Sequence, residues 1–302
     1  MPVTEHYRAK GSILKLSDIF SGERLAVSFE LFPPKTEQGM LNLFENLEEL
    51  AARKPAFITC TYGAGGSTQE KTLEVLDGVL SRHPGVPVAS HLTCVGSTVD
   101  ELRAYLEASK KRGVSYIVAL RGDPPKGETT FVQHAGGLAH ANELVSLIKA
   151  EYPEFGILVA GYPEMHQEAP SAQADLDNLK RKVDAGADAI VTQLFYDNAD
   201  FYRFRDRVTA AGITQPLIPG ILPVTNLAQI KRLTSMCGSK LPDKLLRRLE
   251  AHEHDEEGQF SAGVYYAGRQ VEDLVESGVP GVHFYVLNKS RATAHICRAQ
   301  VL

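Results

Sequence analysis

The amino-acid sequence predicts an α/β fold, a single (β/α)8 TIM barrel that ends in a short C-terminal helix. Three observations favour it: eight apolar, β-rich runs, amphipathic helical patterns between them, and a length of 302 residues that suits one such barrel. The runs are nearly continuous rather than alternating, as is typical of parallel strands covered on both faces. They lie at residues 26–32, 57–61, 88–92, 116–120, 156–161, 189–194, 216–220 and 281–285.

The segments between the runs carry apolar residues at helical spacing. In the first segment these residues are Leu41, Phe44, Leu47 and Leu50. Capping boxes are predicted at Ser67 with Glu70 and at Thr98 with Glu101. The glycines placed to end helices before the next strand are Gly113, Gly186, Gly212 and Gly278. A last helix is predicted after Ser290, which can cap it.

We expect one catalytic domain over residues 1–302, with an N-terminal segment at 1–24, the barrel at 25–289 and the C-terminal helix at 290–302. The most polar stretch, 251–258, contains His252, His254 and four acidic residues. It resembles a solvated loop or helix end between the seventh and eighth helices far more than a metal site. We therefore predict no metal.

An open, doubly wound sheet is the competing fold, because it uses the same strand–helix units. Its dinucleotide-binding form requires the pattern G-x-G-x-x-G after a strand. The glycine cluster in that position is Gly63-Ala64-Gly65-Gly66, and the third required glycine is replaced by Thr68. The pattern fails, and the barrel is preferred.

Composition excludes several classes of protein. Hydrophobic residues make up 43% and charged residues 23%, which is ordinary for a globular chain. The net charge of −5 argues against nucleic-acid binding. The four cysteines form no C-x-x-C pair, so they match no zinc framework and fit a reducing compartment. With no apolar run near the ~18 residues of a membrane span and no signal core, we expect a cytoplasmic protein without membrane contact.

In a (β/α)8 barrel the chemistry lies at the carboxyl ends of the strands. Glu30 stands near the end of the first strand. If it points inward, burial should raise its pKa, which suits a general acid, but a structural salt bridge is an equal alternative. Arg121-Gly122-Asp123 follows the fourth strand and is typical of a ligand clamp. Asp175, Asn178 and Lys182 share a helix face, for which solvated surface is the ordinary interpretation.

The strand ends also exclude some chemistries. No strand carries a lysine, so a Schiff-base aldolase is not indicated, and no G-x-S-x-G or H-E-x-x-H motif is present. The seventh and eighth strands lack the glycine-rich phosphate loops of many barrel enzymes. A polar mouth with several aromatic residues remains, and it suits a planar heterocyclic ligand or cofactor.

Ten motifs then follow one another in register. Together they closely resemble the bacterial-type methylenetetrahydrofolate reductase family, catalytic barrel only, from about residue 27 to 297. The motifs are Val27-Ser28-Phe29-Glu30-Leu31-Phe32-Pro33-Pro34, Thr61-Tyr62-Gly63-Ala64, His91-Leu92-Thr93, Leu120-Arg121-Gly122-Asp123, Gly161-Tyr162-Pro163-Glu164, Ala174-Asp175-Leu176, Lys180-x-Lys182, Thr192-Gln193-Leu194-Phe195, Ile218-Pro219-Gly220-Ile221 and His283-Phe284-Tyr285-x-Leu287-Asn288.

This resemblance implies an oxidoreductase with non-covalent FAD. Such an enzyme takes hydride from NADH or NADPH and passes it through the flavin to 5,10-methylenetetrahydrofolate. The product, 5-methyltetrahydrofolate, supplies methyl groups for methionine synthesis. A homo-oligomer is also expected. Because larger members carry a C-terminal regulatory domain for S-adenosylmethionine and this chain stops at Leu302, we expect no inhibition by that compound.

The resemblance also implies roles for single residues. Glu30 matches the general acid and contacts folate, and Asp123 matches a catalytic residue between flavin and folate. The other implied folate contacts are Gln193, Gln229, Leu233 and Lys289. The implied cofactor contacts are Thr61, His91, Arg121, Gly122, Asp123, Ala141, Tyr162, His166, Asp175, Asn178, Arg181 and Lys182. Leu233 stands where some members have Phe, and Lys289 where Arg is frequent, so ring stacking and a bidentate fork are lost.

Two alternatives stay open. One is another barrel flavoenzyme, such as a proline-dehydrogenase-like oxidoreductase. Turnover of proline but not of methylenetetrahydrofolate would indicate this alternative. The other is a non-enzymatic barrel that binds folate or flavin. The joint presence of Glu30, Asp123 and Gln193 argues against the second.

Overall fold

The computed structural model describes residues 8–9, 12–22, 24–62, 69–123 and 131–300. A short antiparallel pair, β1 (Arg8–Ala9) and β2 (Ser12–Ile13), and helix α1 (Leu16–Phe20) precede the main sheet. The strands of that sheet are β3 (Ala26–Leu31), β4 (Phe57–Cys60), β5 (Val88–Thr93), β6 (Tyr116–Leu120), β7 (Gly156–Gly161), β8 (Ala189–Thr192), β9 (Leu217–Ile218), β10 (Gly220–Ile221) and β11 (Gly281–Tyr285).

The sheet forms a nearly closed barrel, which confirms the predicted fold class. All its pairings are parallel, in the order β10-β11-β3-β4-β5-β6-β7-β8-β9. The two ends of the sheet, β9 and β10, are halves of one strand that is interrupted at Pro219. The two edges of the sheet therefore meet in this strand and close the barrel. Proline cannot donate to a ladder, which accounts for the interruption. The open-sheet alternative is wrong.

Helices surround the barrel. They are α2 (Glu37–Ala51), α3 (Gln69–Arg82), α4 (Val99–Arg112), α5 (Ala141–Glu151), α6 (Ala172–Asp184), α7 (Asn198–Ala210), α8 (Leu227–Cys237), α9 (Asp243–Glu250), α10 (Glu256–Glu276) and α11 (Arg291–Ala299). The strands are mostly apolar because these helices cover their outer faces; β4 and β5 are buried at every residue.

An apolar plug closes the barrel at the end where its strands begin. Leu16, Ile19 and Phe20 of α1 pack with Phe57 and Tyr116, which open strands β4 and β6. The rings of Phe20 and Phe57 meet edge to face at 6.2 Å between centroids. With this end filled, a ligand can enter from the carboxyl ends of the strands.

Local helix signals are partly confirmed. The Thr98 hydroxyl accepts from the Glu101 amide and the Glu101 carboxylate accepts from the Thr98 amide, which is the predicted capping box. Ser67 and the glycine cluster at 63–66 lie outside the described residues. Ser290 does precede the last helix, but its hydroxyl makes no cap and donates instead to Asn46 and Glu49 of α2.

The region between the seventh and eighth barrel helices holds an element that the sequence did not predict. Helix α9 occupies 243–250, a turn follows at 251–254, and Asp255 caps α10 by accepting from the Gly258 amide. Within the described ranges, no group of three or more His, Cys, Asp or Glu side chains is arranged to hold a metal ion. Nor is any described helix long and apolar enough to cross a bilayer.

Candidate active site

Two adjoining cavities open at the carboxyl ends of the strands. An inner cavity of about 310 Å³ lies within the barrel mouth and includes Glu30, Asp123 and Gln193. An outer cavity of about 460 Å³ lies over β6 and β7 and is bounded by α5 and α6. The two cavities share the lining residues Leu120, Arg121, Ala160, Tyr162 and His166. They therefore form one cleft from the barrel axis to its outer flank.

Glu30 points into the inner cavity between two imidazoles. Its Oε2 lies 3.3 Å from His91 Nε2 and 3.7 Å from His283 Nε2. The register of β3 with β11 explains the second contact: Ser28 pairs with His283 and Glu30 with Tyr285, so these side chains share the barrel interior. His283 Nδ1 lies 2.8 Å from the Ser28 hydroxyl, and only 2% of the His283 side chain is exposed.

The electrostatics of Glu30 differ from the sequence expectation. Burial raises the pKa of its carboxyl, as expected, but hydrogen bonds and charge from His283 and His91 outweigh that effect and lower the pKa from 4.5 to about 2. The predicted rise in the pKa of Glu30 is therefore wrong. The two imidazoles that lower the pKa come from other strands, so the sequence around Glu30 does not reveal them. Glu30 thus points inward, as the general-acid interpretation required. It is also paired with two imidazoles, as the salt-bridge interpretation required.

The Arg121-Gly122-Asp123 segment borders both cavities. The Arg121 guanidinium donates to both Glu168 carboxylate oxygens, at 2.6 and 2.7 Å, across the outer cavity. Gly122 has φ +88°, and a Cβ there would lie 2.5 Å from Val95 Cγ1, so only glycine fits this turn. The turn leaves Asp123 exposed at the lining of the inner cavity.

A model of the methylenetetrahydrofolate reductase family matches residues 15–300 of the chain. The chain belongs to this family. It is 42% identical over 274 residues to 5,10-methylenetetrahydrofolate reductase of Salmonella typhimurium, covering 91% of this chain and 90% of that protein. It is 40% identical over 294 residues to methylenetetrahydrofolate reductase (NADH) 1 of Zea mays, covering 94% of this chain. The chain spans about half the length of that plant relative, 49%.

Solved structures share the fold at low identity. A Clostridium thermocellum protein described as binding two copies of 5-methyl-5,6,7,8-tetrahydrofolic acid superposes with a TM-score of 0.61 at 16% identity, covering 95% of this chain and 98% of that one. Oxaloacetate acetylhydrolase superposes with a TM-score of 0.52 at 13% identity, covering 95% and 82%. At these identities the likeness establishes the barrel and nothing about the ligand.

The outer cavity fits the dinucleotide cofactor that the family resemblance implies. Burial lowers the pKa of Lys182 from 10.5 to about 8, against the attraction of nearby Asp175, and its Nζ donates to a neutral group, the Ala160 carbonyl, at 2.5 Å. Such a poorly compensated cation suits an anionic ligand. Ala141 begins α5 at the cavity edge, and a helix N-terminus also favours phosphate.

The inner cavity fits a polar ring system. The hydroxyls of Thr59 and Thr93 are buried, line the cavity and have no hydrogen-bond partner in the part of the chain that the structure describes. An unsatisfied buried hydroxyl costs ~1–3 kcal/mol, so a ligand that bonded these groups would recover that cost. The reductase family resemblance did not single out either threonine; both lie on inward-facing strand positions, which barrel periodicity could have indicated.

The cavities bring together most, but not all, of the residues proposed from the family. Asp175 is nearly buried and accepts from the His166 amide at 3.2 Å. The interpretation of its helix face as solvated surface is wrong for Asp175, since that carboxylate is enclosed. Asn178 and Arg181 are exposed at the cavity edge, and Arg181 donates to Asn178 at 2.7 Å.

Four proposed residues lie outside the lining of both cavities: Thr61, Gln229, Leu233 and Lys289. Thr61 directly follows β4, and Lys289 is exposed beyond β11. Gln229 stands in the first turn of α8, and Leu233 packs against the apolar cluster that α8 and α9 share. The sequence analysis did not identify Ser28 as the partner of His283 or Glu168 as the partner of Arg121. Ser28 and His283 do lie within two of the matching motifs.

Proposed function

We propose that this protein reduces 5,10-methylenetetrahydrofolate to 5-methyltetrahydrofolate with a reduced nicotinamide, using non-covalent FAD. The observation that carries the proposal is the carboxylate of Glu30, held between two imidazoles in a cavity that opens directly into a second one suited to a dinucleotide. NADH appears in the name of the maize relative and is the first reductant to test.

The outer cavity would hold the cofactor by its charged part. Lys182 and Arg181 supply positive charge for a pyrophosphate, and the enclosed Asp175 carboxylate can accept from ribose hydroxyls. Tyr162 and His166, which line both cavities and meet edge to face at 4.7 Å, can pack beside the ring system. The bound flavin would supply hydride transfer, which no side chain can provide.

The inner cavity would orient the folate. Asp123 presents a carboxylate that can accept paired N–H bonds from a pterin, and Gln193 presents an amide with both donor and acceptor atoms. The Gln193 Oε1 already accepts from the Leu194 amide at 2.9 Å, which fixes the orientation of the side chain. This arrangement favours a flat heterocycle with adjacent donors and acceptors.

Glu30 would deliver the proton that opens the five-membered ring of the substrate. Hydrogen bonds and charge from His283 and His91 lower the pKa of its carboxyl. Burial acts in the opposite direction and raises the pKa of Glu30. A substrate that covered the mouth would increase burial and so raise the pKa of Glu30, which would favour the protonated carboxyl that a general acid requires.

The absorbance spectrum of the purified protein tests the proposal. We expect a flavin spectrum that NADH or NADPH bleaches and that methylenetetrahydrofolate restores. Acid precipitation should release all of the colour as FAD. Protein without flavin, FMN in its place, or turnover of proline but not of folate would contradict the proposal. Homo-oligomeric assembly and a role in methionine synthesis are further parts of it and rest on the family resemblance. Cytoplasmic location is another part and rests on the few, scattered cysteines.

A further inference from the structure

The loop between β7 and α6, residues 162–171, makes contacts on two faces. One face lines the cofactor cavities through Tyr162, His166 and Glu168. The other face contacts the carboxyl end of α8 through Gln167 and the segment just after that helix through Glu164. Met165, between Glu164 and His166, has φ +81°, a strained value for a side chain of this size. Such strain persists where the surroundings fix the backbone on both sides.

The contacts to α8 are specific. Both Glu164 carboxylate oxygens accept from the Lys240 amide, at 3.2 and 3.1 Å. Gln167 Nε2 donates to the Met236 carbonyl at 3.0 Å, which satisfies a carbonyl in the last turn of the helix. Gly238 ends α8 with φ +74°, and a Cβ on it would lie 2.6 Å from Gln167 Cγ. The loop therefore packs directly on the helix end.

The beginning of α8 is held by another element. The Gln259 side chain of α10 accepts from the Leu227 amide at 2.8 Å, and Leu227 and Ile230 are buried. Gln229 and Leu233, the proposed folate contacts, lie between this anchor and the loop contacts. Both side chains lie outside the lining of the inner cavity, so a shift of the helix end would move them toward or away from a ligand that extends beyond it.

We propose that Glu164 and Gln167 are positioning residues that couple cofactor binding to the placement of α8 and hence to folate affinity. This inference rests on the proposed function. Cofactor contacts on one face of the loop restrict the backbone of residues 163–167, and the hydrogen bonds on the other face transmit that restriction to residues 236–240. Coupling must be reciprocal, so folate on α8 tightens the loop around the cofactor.

Hydrogen exchange of the 302-residue chain with and without FAD tests this coupling. In the wild type, FAD should slow exchange at residues 163–170 and also at 229–240, each by ~10-fold, within the range of typical coupling energies. In Gln167→Ala and Glu164→Ala, protection at 163–170 should remain while protection at 229–240 falls below about threefold. Glu164→Gln keeps an acceptor oxygen and should restore part of it.

Kinetics give a second measurement. The two alanine variants should raise KM for methylenetetrahydrofolate by about 5- to 10-fold and change kcat by less than about twofold, because ground-state and transition-state binding are lost together. Gln173→Ala is the matched control: Gln173 donates to Asp177 on the exposed surface of α6 and touches neither site. It should leave exchange and KM unchanged.

The outcomes separate the two proposals. If FAD binds and protects 163–170 but leaves 229–240 unchanged in the wild type, the coupling is overturned while the proposed function stands. Full protection of 229–240 in both alanine variants overturns it as well. If FAD does not bind at all, the proposed function fails and the inference fails with it.

Discussion

Replacing Lys182 by Met should stabilise the cofactor-free protein and weaken its binding of FAD. Burial lowers the pKa of the lysine from 10.5 to about 8, which corresponds to ~3 kcal/mol against the charged form at about 1.4 kcal/mol per pH unit. At pH 7 the side chain is charged in both the folded and the unfolded chain, so folding bears that whole cost. Methionine removes the cost but leaves the Ala160 carbonyl without its donor, a loss of ~1 kcal/mol.

The expected net gain is therefore about 2 kcal/mol in the free energy of unfolding at pH 7. The gain should shrink as pH rises through 8; above about 10.5, where the lysine is neutral in both states, only the ~1 kcal/mol loss from the unpaired Ala160 carbonyl should remain, so the variant should then be slightly less stable than the wild type. Affinity for FAD should fall by about 10- to 150-fold, since a hydrogen bond to a charged group contributes ~1.5–3 kcal/mol. In the wild type that affinity should also fall as pH rises above 8.

Urea unfolding of the apoprotein at pH 7 and 9.5 measures the first effect, and quenching of FAD fluorescence measures the second. Lys180→Met is the matched control, because Lys180 is on the same helix and pairs with Asp184 at the surface. It should change unfolding by less than about 0.5 kcal/mol and leave FAD binding intact. A Lys182→Met variant that loses stability and keeps its FAD affinity would refute the reasoning.

Three further predictions concern the cavities and their surroundings. Glu30→Gln should leave the half-reaction with the nicotinamide within about an order of magnitude and slow the half-reaction with folate by at least ~10²-fold in stopped flow; equal slowing of both would make Glu30 structural. Asp123→Asn should raise the midpoint potential of bound flavin by removing negative charge beside it, and it should weaken folate binding; an unchanged or lower midpoint by potentiometry would contradict the electrostatic part. Gly238→Ala should lower stability by ~1–2 kcal/mol, since the position has φ +74° and a Cβ would overlap Gln167; a melting temperature equal to that of the wild type would argue against strain.

The sequence was sufficient for the elements whose signal is local. Strands β6 and β7 were predicted at 116–120 and 156–161 and are found there, because strands covered on both faces are apolar runs with polar ends. The capping box at Thr98 is likewise contained within four residues. Helix α9 was missed because it has eight residues and only two buried side chains, Leu245 and Leu249, too few to show a period.

The residues of the candidate site were likewise predictable only in part. Motif order brought Glu30, Asp123, Lys182 and their neighbours into one list, and the structure places most of that list along one cleft. The loop side chains that hold α8 carry no such signal, since Gln167 meets Met236 across 69 residues of chain. These hydrogen bonds join a loop to the end of a distant helix, which sequence spacing does not encode.

The sequence by itself determined the barrel, since periodicity and strand-end composition are properties of neighbouring residues. Only the tertiary structure decided the direction in which the pKa of Glu30 shifts. Ser28 and His283 are 255 residues apart in the chain and 2.8 Å apart in the barrel, and that closure aims an imidazole at Glu30. A pKa depends on burial and on the charges within a few ångströms. For Glu30 those charges come from strands β5 and β11, so the direction of the shift exists only once the sheet has closed.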